Sequence, residues 1–134
     1  MKPFFFVIAA ALAGCVTKRE MRDLPSDAGI SKTYDAPFDK VKRACEDTLA
    51  GDYWKKGDSD KDTRFVEPKV YQVIGSQNLS SGTAVQRVRV RIENKETQCI
   101  VWVVVHSGTT REAENRDVIL AEDLQKKIAA RVAK

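Results

Sequence analysis

The sequence predicts an α+β fold in which an antiparallel sheet of three to four strands carries two helices on one face. Two amphipathic segments, with apolar residues at spacings of three and four, flank the central part of the chain. Between them lie segments rich in β-branched residues, and residues 84–107 alternate apolar and polar side chains with period two. The expected order is β-α-β-β-β-α within a single domain of residues 32–134.

A short extended segment at residues 30–34 is the first predicted strand. Asp35 and Pro37 then favour the start of a helix, because aspartate caps helices and proline fits the first turn. The apolar stripe of this helix recurs at spacings of three and four. Its members are Phe38, Val41, Cys45 and Leu49. Gly51 is expected to end the helix.

Residues 52–62 are predicted to form a charged loop. Three aspartates alternate along it: Asp58, Asp60 and Asp62. An EF-hand begins in this way, but Thr63 occupies the position that requires glycine and Lys69 the one that requires a bidentate glutamate. We therefore expect a solvated acidic loop and no metal site.

A further strand is predicted at residues 65–66 and 70–74, interrupted by Pro68, which cannot donate to a strand ladder.

A hairpin is predicted at residues 84–107. With Asn94 and Lys95 as a two-residue turn, three pairs are expected across it: Ile92 with Thr97, Val90 with Cys99, and Val88 with Val101. The side chains of Cys99, Val101, Val103 and Val105 then share the core face.

The opposite face of this hairpin is predicted to carry an apolar strip among arginines. Its members are Arg87, Arg89, Ile100, Trp102 and Val104. Aromatic and arginine side chains dominate interface energetics, so this strip is our candidate partner surface. The alternatives are that Trp102 packs under an arginine, or that the N-terminal segment or the loop at Trp54 covers it. A turn longer or shorter by one residue would exchange the two faces.

The last helix is expected to begin near Thr109 and Glu112, which have capping-box spacing, and to be regular after Asn115. Its predicted apolar face consists of Val118, Ala121, Leu124, Ile128 and Val132. This face is expected to pack on the same side of the sheet as the first helix.

The residues favour no catalytic site and no cofactor. His106 is the sole histidine, and the neighbouring Ser107 points to the other face of a strand. Cys45 and Cys99 lie on apolar faces, where a thiolate is disfavoured. For these two cysteines a disulfide and a pair of buried free thiols both stay open.

The first fifteen residues predict export. Lys2 precedes an apolar run at residues 4–11, which is about half the roughly 20 residues that span a bilayer. The ending Leu12-Ala13-Gly14-Cys15 resembles the lipobox of bacterial lipoproteins. This resemblance implies removal of residues 1–14 as a signal peptide, a diacylglycerol on the Cys15 sulfur, and acylation of the new amino terminus. Val16 stands where inner-membrane lipoproteins of enteric bacteria usually have aspartate, so this resemblance favours the outer membrane, facing the periplasm.

Residues 15–31 are polar, lack an apolar period and are predicted to form a flexible tether. The formal net charge is +4, and removal of Lys2 leaves about +3. Export disfavours a nucleic-acid partner. The expected partners are the membrane, through the N-terminal lipid, and an envelope protein.

From Tyr34-Asp35-Ala36-Pro37-Phe38, through Val88-Arg89-Val90-Arg91-Ile92-Glu93, to the last helix, the element order resembles small bacterial lipoproteins of the DUF3568 type. It is also similar to the helix-grip domains of BamC-like lipoproteins. These resemblances imply a non-enzymatic envelope protein that binds or scaffolds a complex. The alternative function is a periplasmic binder or carrier of a lipid, glycan or metal.

Overall fold

The computed structural model describes residues 17–52, 54–61, 69–78 and 85–134. The predicted signal peptide and the predicted lipidation site, Cys15, lie outside the described residues. So do the predicted strand at residues 65–66, Pro68 and Asp62.

Three helices and five strands make up the described part of the chain. In order they are α1 Lys18–Arg22, β1 Ile30–Tyr34, α2 Phe38–Gly51, β2 Lys55–Lys61, β3 Val70–Asn78, β4 Val85–Asn94, β5 Cys99–His106 and α3 Arg111–Val132. The strands form one antiparallel sheet in the order β1-β5-β4-β3-β2. The predicted α+β class, with an antiparallel sheet and helices, is confirmed.

The sheet has one more strand than the sequence predicts, because Lys55–Lys61 is β2 and not part of a loop. It pairs with β3 at the sheet edge, and its register shifts between Lys56 and Ser59. An edge strand needs no buried face of its own, so its sequence can be wholly polar. The alternating aspartates therefore gave no apolar signal by which to recognise a strand.

Helices α2 and α3 lie on the same face of the sheet and contact each other. The predicted stripe of α2 is confirmed, since its four apolar members are all buried. They pack with valines of the three central strands: Val73, Val88, Val90, Val101 and Val103. Each of these valines, fully buried, stabilises the fold by about 1.5 kcal/mol.

The hairpin of β4 and β5 has the predicted faces but not the predicted register. Val90 pairs with Val103 instead of Cys99, because the connection spans residues 95–98 and is two residues longer than predicted. The pairing is displaced by an even number of residues, so every side chain keeps its face. The Asn94 side chain accepts a hydrogen bond from the Glu96 N–H at 3.0 Å, and Glu96 has a φ of 69°.

Helix α3 buries Ala121, Leu124 and Ile128 as predicted, but Val118 is exposed and polar residues take part in the buried face. It begins at Arg111, where the Thr110 hydroxyl accepts from the Ala113 N–H at 3.1 Å, so the predicted cap at Thr109 is wrong by one residue. Its buried residues are Ala113, Asp117, Ala121, Leu124, Gln125 and Ile128. Val118, expected in the core, is 52% exposed. Asp117 and Gln125 face the sheet because they form hydrogen bonds with Ser107 and Val101, and Val118 consequently faces solvent.

Gln125 shows how a polar residue of α3 is accommodated in the core. Its side-chain amide donates to the carbonyls of Ile30 at 2.9 Å and Val101 at 2.8 Å. The Tyr34 hydroxyl donates to Gln125 Oε1 at 2.7 Å. These bonds tie α3 to both β1 and β5, and they offset the cost of burying an amide.

The predicted flexible tether is wrong for its described residues, 17–31. Thr17 and Glu20 form a capping box at the start of α1, and Met21 is completely buried against the sheet face opposite α2 and α3. Gly29 then enters β1 with a φ of 95°, where a Cβ would collide with the Val103 carbonyl. The T-x-x-E spacing at Thr17 was the sequence signal that could have revealed this helix.

Candidate functional site

The five residues predicted as a partner surface do share one face of the sheet. This outer face lies on β4 and β5, where Arg89 is paired with Val104 and Arg91 with Trp102. The face is not an open patch, however. Arg87, Ile100, Trp102 and Val104 are partly buried, and Arg89 has no exposed surface.

Arg89 is buried beneath the segment that leads from α1 to β1. Its guanidinium donates to the carbonyls of Leu24 and Pro25, both at 2.8 Å, and to that of Met21 at 3.5 Å. Burial, together with the like charge of Arg91, lowers the pKa of Arg89 to about 10. The side chain therefore stays cationic at neutral pH, and its described partners are main-chain carbonyls. Arg89 holds the N-terminal segment in place and is not available to a partner protein.

Trp102 is half-buried on β5 between Arg91 of β4 and Ser31 of β1. Its indole N–H is buried and has no hydrogen-bond partner among the described residues. A tryptophan usually finds such a partner when it is buried. The predicted surface is thus only partly exposed, and Trp102 is its aromatic member.

A cleft of about 330 Å³ lies between the start of α3 and the edge of the sheet where β1 begins. β1 pairs with β5 only as far as Val103, so the last residues of β5 line the cleft. Its lining is mostly apolar: Gly29, Ile30, Val103, Val104, Val105, His106, Gly108, Glu114, Asp117, Val118 and Ala121. On the same part of α3, Val118 is 52% exposed and Ile119 is 66% exposed.

Sequence reasoning missed this cleft because it assigned Val118 to the core. The signal that could have found it was the adjacent pair Val118-Ile119, since neighbouring helical residues point 100° apart and cannot both face a narrow core stripe.

Asp117 forms the polar wall of the cleft and is only 4% exposed. Its carboxylate accepts from the Ser107 N–H at 2.7 Å and the Ser107 hydroxyl at 2.6 Å. It also accepts from the Gln86 amide at 3.2 Å. Arg116 donates to the Ser107 hydroxyl at 2.9 Å. This network closes one end of the core and fixes the first turns of α3 against β5.

Ser107 and His106 do not form a catalytic pair in this geometry. They follow each other at the end of β5, where neighbouring side chains point to opposite faces. The described partners of the Ser107 hydroxyl are Asp117 and Arg116. A serine nucleophile needs a base within about 3 Å, and here the hydroxyl donates to a carboxylate that is already engaged.

His106 lies at the cleft and is expected to titrate below its ordinary range. Burial lowers its pKa, although the charges of Asp117, Glu114 and Glu20 act in the opposite direction. The unfolded chain therefore binds the proton more readily than the folded protein. Stability should fall as the pH drops through about 6.5, the ordinary histidine pKa, and level off below the folded pKa.

Because His106 is the sole histidine, an NMR titration of its ring protons reads this pKa without assignment ambiguity. A midpoint at or above 6.5 would contradict the expected direction. The His106→Gln variant provides the control, since its melting temperature should vary less between pH 7.5 and 5.5 than that of the unsubstituted protein.

Cys45 and Cys99 are both buried and are not bridged in the structure, which is the second of the two alternatives left open by the sequence. Burial is the main cause that raises the pKa of Cys45, and the charges of Glu46 and Cys99 act in the same direction. The Cys99 thiol contacts the Ala36 carbonyl at 3.7 Å. Such thiols are small apolar side chains and not nucleophiles.

We expect neither Cys45 nor Cys99 to react with iodoacetamide in the native protein, since both are buried. Both should react once the protein is unfolded, without any reductant. Mass spectrometry of the alkylated protein measures this directly. Labelling that requires prior reduction would show that the two cysteines are bridged.

No group of three metal-ligating side chains comes together within residues 17–52, 54–61, 69–78 and 85–134. Across the same residues, no helix has the length and apolar character that crossing a bilayer requires.

No family model matches the chain. A search of curated proteins likewise finds no match.

Proposed function

We propose that this protein is a lipid-anchored protein of the bacterial envelope whose folded domain binds or scaffolds a partner protein and catalyses no reaction. The sequence Leu12-Ala13-Gly14-Cys15 supports the anchor, since it follows a short apolar run in the way that a lipobox does. Val16 supports a location at the outer membrane, facing the periplasm, since inner-membrane lipoproteins of enteric bacteria usually have aspartate at this position. Two or more acyl chains at Cys15 meet the requirement for stable anchoring.

The observation that carries the binding role is the exposed pair Val118 and Ile119 beside the cleft. They are the exposed large hydrophobic residues of the described part of the chain. Full burial of such a side chain contributes about 1.5–3 kcal/mol, so covering these two, which are 52% and 66% exposed, would contribute a part of that value each. Apolar side chains grouped beside a concavity are typical of interaction sites.

The anchor is tested by Cys15→Ser in cells supplied with labelled palmitate. The unsubstituted protein should incorporate label and float with membranes, whereas the variant should do neither and retain residues 1–14. A Cys15→Ser variant that still matured and fractionated with membranes would overturn the anchoring proposal.

The binding role is tested with a photo-crosslinking amino acid at Ile119 in intact envelopes. The matched control is the same amino acid at Arg43, which is exposed on α2. We expect adducts with one envelope protein from position 119 only, and their loss when Val118 is replaced by lysine. Equal adducts from both positions, or none from position 119, would count against a protein partner at this site.

The cleft itself favours a second candidate function, the binding of a small apolar ligand such as a lipid. Its volume of about 330 Å³ lies at the lower end of the range for ligand pockets. Val118→Trp would fill the cleft from an exposed position. Native mass spectrometry of protein purified from envelopes should then show a bound mass that this variant lacks.

A further inference from the structure

We propose that the domain is seated directly on the membrane surface, with α1 beside the phospholipid headgroups, and is not held away from the membrane on a slack tether. This inference rests on the proposed lipid anchor at Cys15. It goes beyond that proposal because it fixes which end of the domain faces the membrane.

The covalent reach of the chain limits the distance between the folded domain and the lipid on Cys15. Thr17 follows Cys15 by two residues. Two residues span at most about 7 Å even when fully extended. An acylated Cys15 has its lipid chains in the bilayer and its backbone at the headgroup layer. Thr17 therefore lies within about 7 Å of that layer, whatever the conformation of the intervening bonds.

Thr17 already belongs to the folded domain. Its hydroxyl accepts from the Glu20 N–H at 3.1 Å, and its own N–H donates to the Glu20 carboxylate at 3.0 Å. Four residues on, Met21 is completely buried. The Gln72 side chain of β3 donates to the Arg22 carbonyl at 3.1 Å. The segment that would have given slack is packed on the sheet.

The position of α1 along the sheet decides which end of the domain faces the membrane. The Arg89 guanidinium donates to the Met21 carbonyl of α1 at 3.5 Å, and Arg89 pairs with Val104, two residues before His106. This places α1 near the end of β5 at His106. The loop at Lys95 lies beyond the other end of β5. Seven residue steps along a strand cover roughly 23 Å. The α1 end is therefore membrane-proximal, and the Lys95 loop is the distant end.

The test compares nitroxide labels at these two ends of the lipidated protein. One variant carries Arg19→Cys on α1, and the other carries Lys95→Cys. Both positions are exposed, whereas Cys45 and Cys99 are buried and escape labelling. The protein is placed in vesicles of phosphatidylethanolamine and phosphatidylglycerol that contain a nickel-chelating lipid. Relaxation of the nitroxide by nickel reports its distance from the headgroups.

We expect relaxation at position 19 to exceed that at position 95 several-fold. Inserting twelve Gly/Ser residues between Val16 and Thr17 adds a flexible span of about 20 Å and should remove most of this difference. Equal relaxation at both positions, or no response to the insertion, would overturn the seated arrangement. Vesicle flotation and palmitate on Cys15 are measured on the same samples, so failure of the anchor itself is recognised separately.

Discussion

Replacing Arg89 with methionine is expected to lower the free energy of unfolding by about 3 kcal/mol, because hydrogen bonds to charged groups contribute about 1.5–3 kcal/mol each. The variant loses two bonds of 2.8 Å, to the Leu24 and Pro25 carbonyls, and a longer one to Met21. Relief from burying a cation offsets part of this loss. Methionine keeps most of the side-chain volume, so the effect reports the lost guanidinium bonds.

The same substitution should release residues 17–29 from the outer face. Hydrogen exchange of their amides is expected to become faster while the amides of α2 stay protected, and urea unfolding gives the change in free energy. Arg91→Met is the matched control on the same face of β4. The ion pair of Arg91 with Glu93, at 3.4 Å, is longer than the Arg89 bonds to Leu24 and Pro25, so replacing Arg91 should cost clearly less than replacing Arg89. Similar losses in the two variants would contradict the role assigned to Arg89.

Replacing Asp117 with alanine is expected to cost about 3 kcal/mol, since it leaves buried donors of Ser107 and Gln86 unpaired at about 1–3 kcal/mol each. It also removes the acceptor that fixes the start of α3 against β5. The first turns of α3, with the exposed Val118 and Ile119, should become more mobile. Crosslinking from position 119 should consequently become less specific.

Thermal and urea unfolding measure the Asp117→Ala loss, with Asp123→Ala as the control. Asp123 is nearly half exposed and pairs with Lys127 at 3.1 Å, so its removal should change stability by less than about 1 kcal/mol. Asp117→Asn keeps one acceptor for the Ser107 N–H and should fall between the two. A loss at Asp117 no larger than at Asp123 would show that the buried network contributes nothing.

Local periodicity made much of this fold predictable. The stripe of α2 and the alternation along β4 and β5 each record a buried face, and a buried face selects apolar residues at fixed spacing. The hairpin register was wrong, yet Val90 still faces the core, because the pairing was displaced by an even number of residues. Asn94 lacks the following glycine that marks a two-residue turn, and that absence pointed to a longer loop.

The candidate surface was less predictable, because exposure depends on what lies above a residue. Arg89 was correctly placed on the outer face, but the carbonyls that cover it come from residues more than sixty positions earlier. The apolar cleft was missed for a related reason: Asp117 and Gln125 of α3 face the sheet, and Val118 therefore lies at the cleft and not in the core. Period-based reasoning assumes that polar residues face water, and here they face hydrogen-bonding groups of the sheet.

The sequence by itself determined the α+β class, the faces of the central hairpin and the core side of α2, because each depends on repeats within a few residues. It also supplied the proposed export and anchoring signal, which is local to residues 1–15. Only the tertiary structure decided that residues 17–29 pack on the sheet, that Arg89 is buried beneath them, and that Val118 faces solvent. These outcomes depend on hydrogen-bond partners far apart in the chain, which no local pattern specifies.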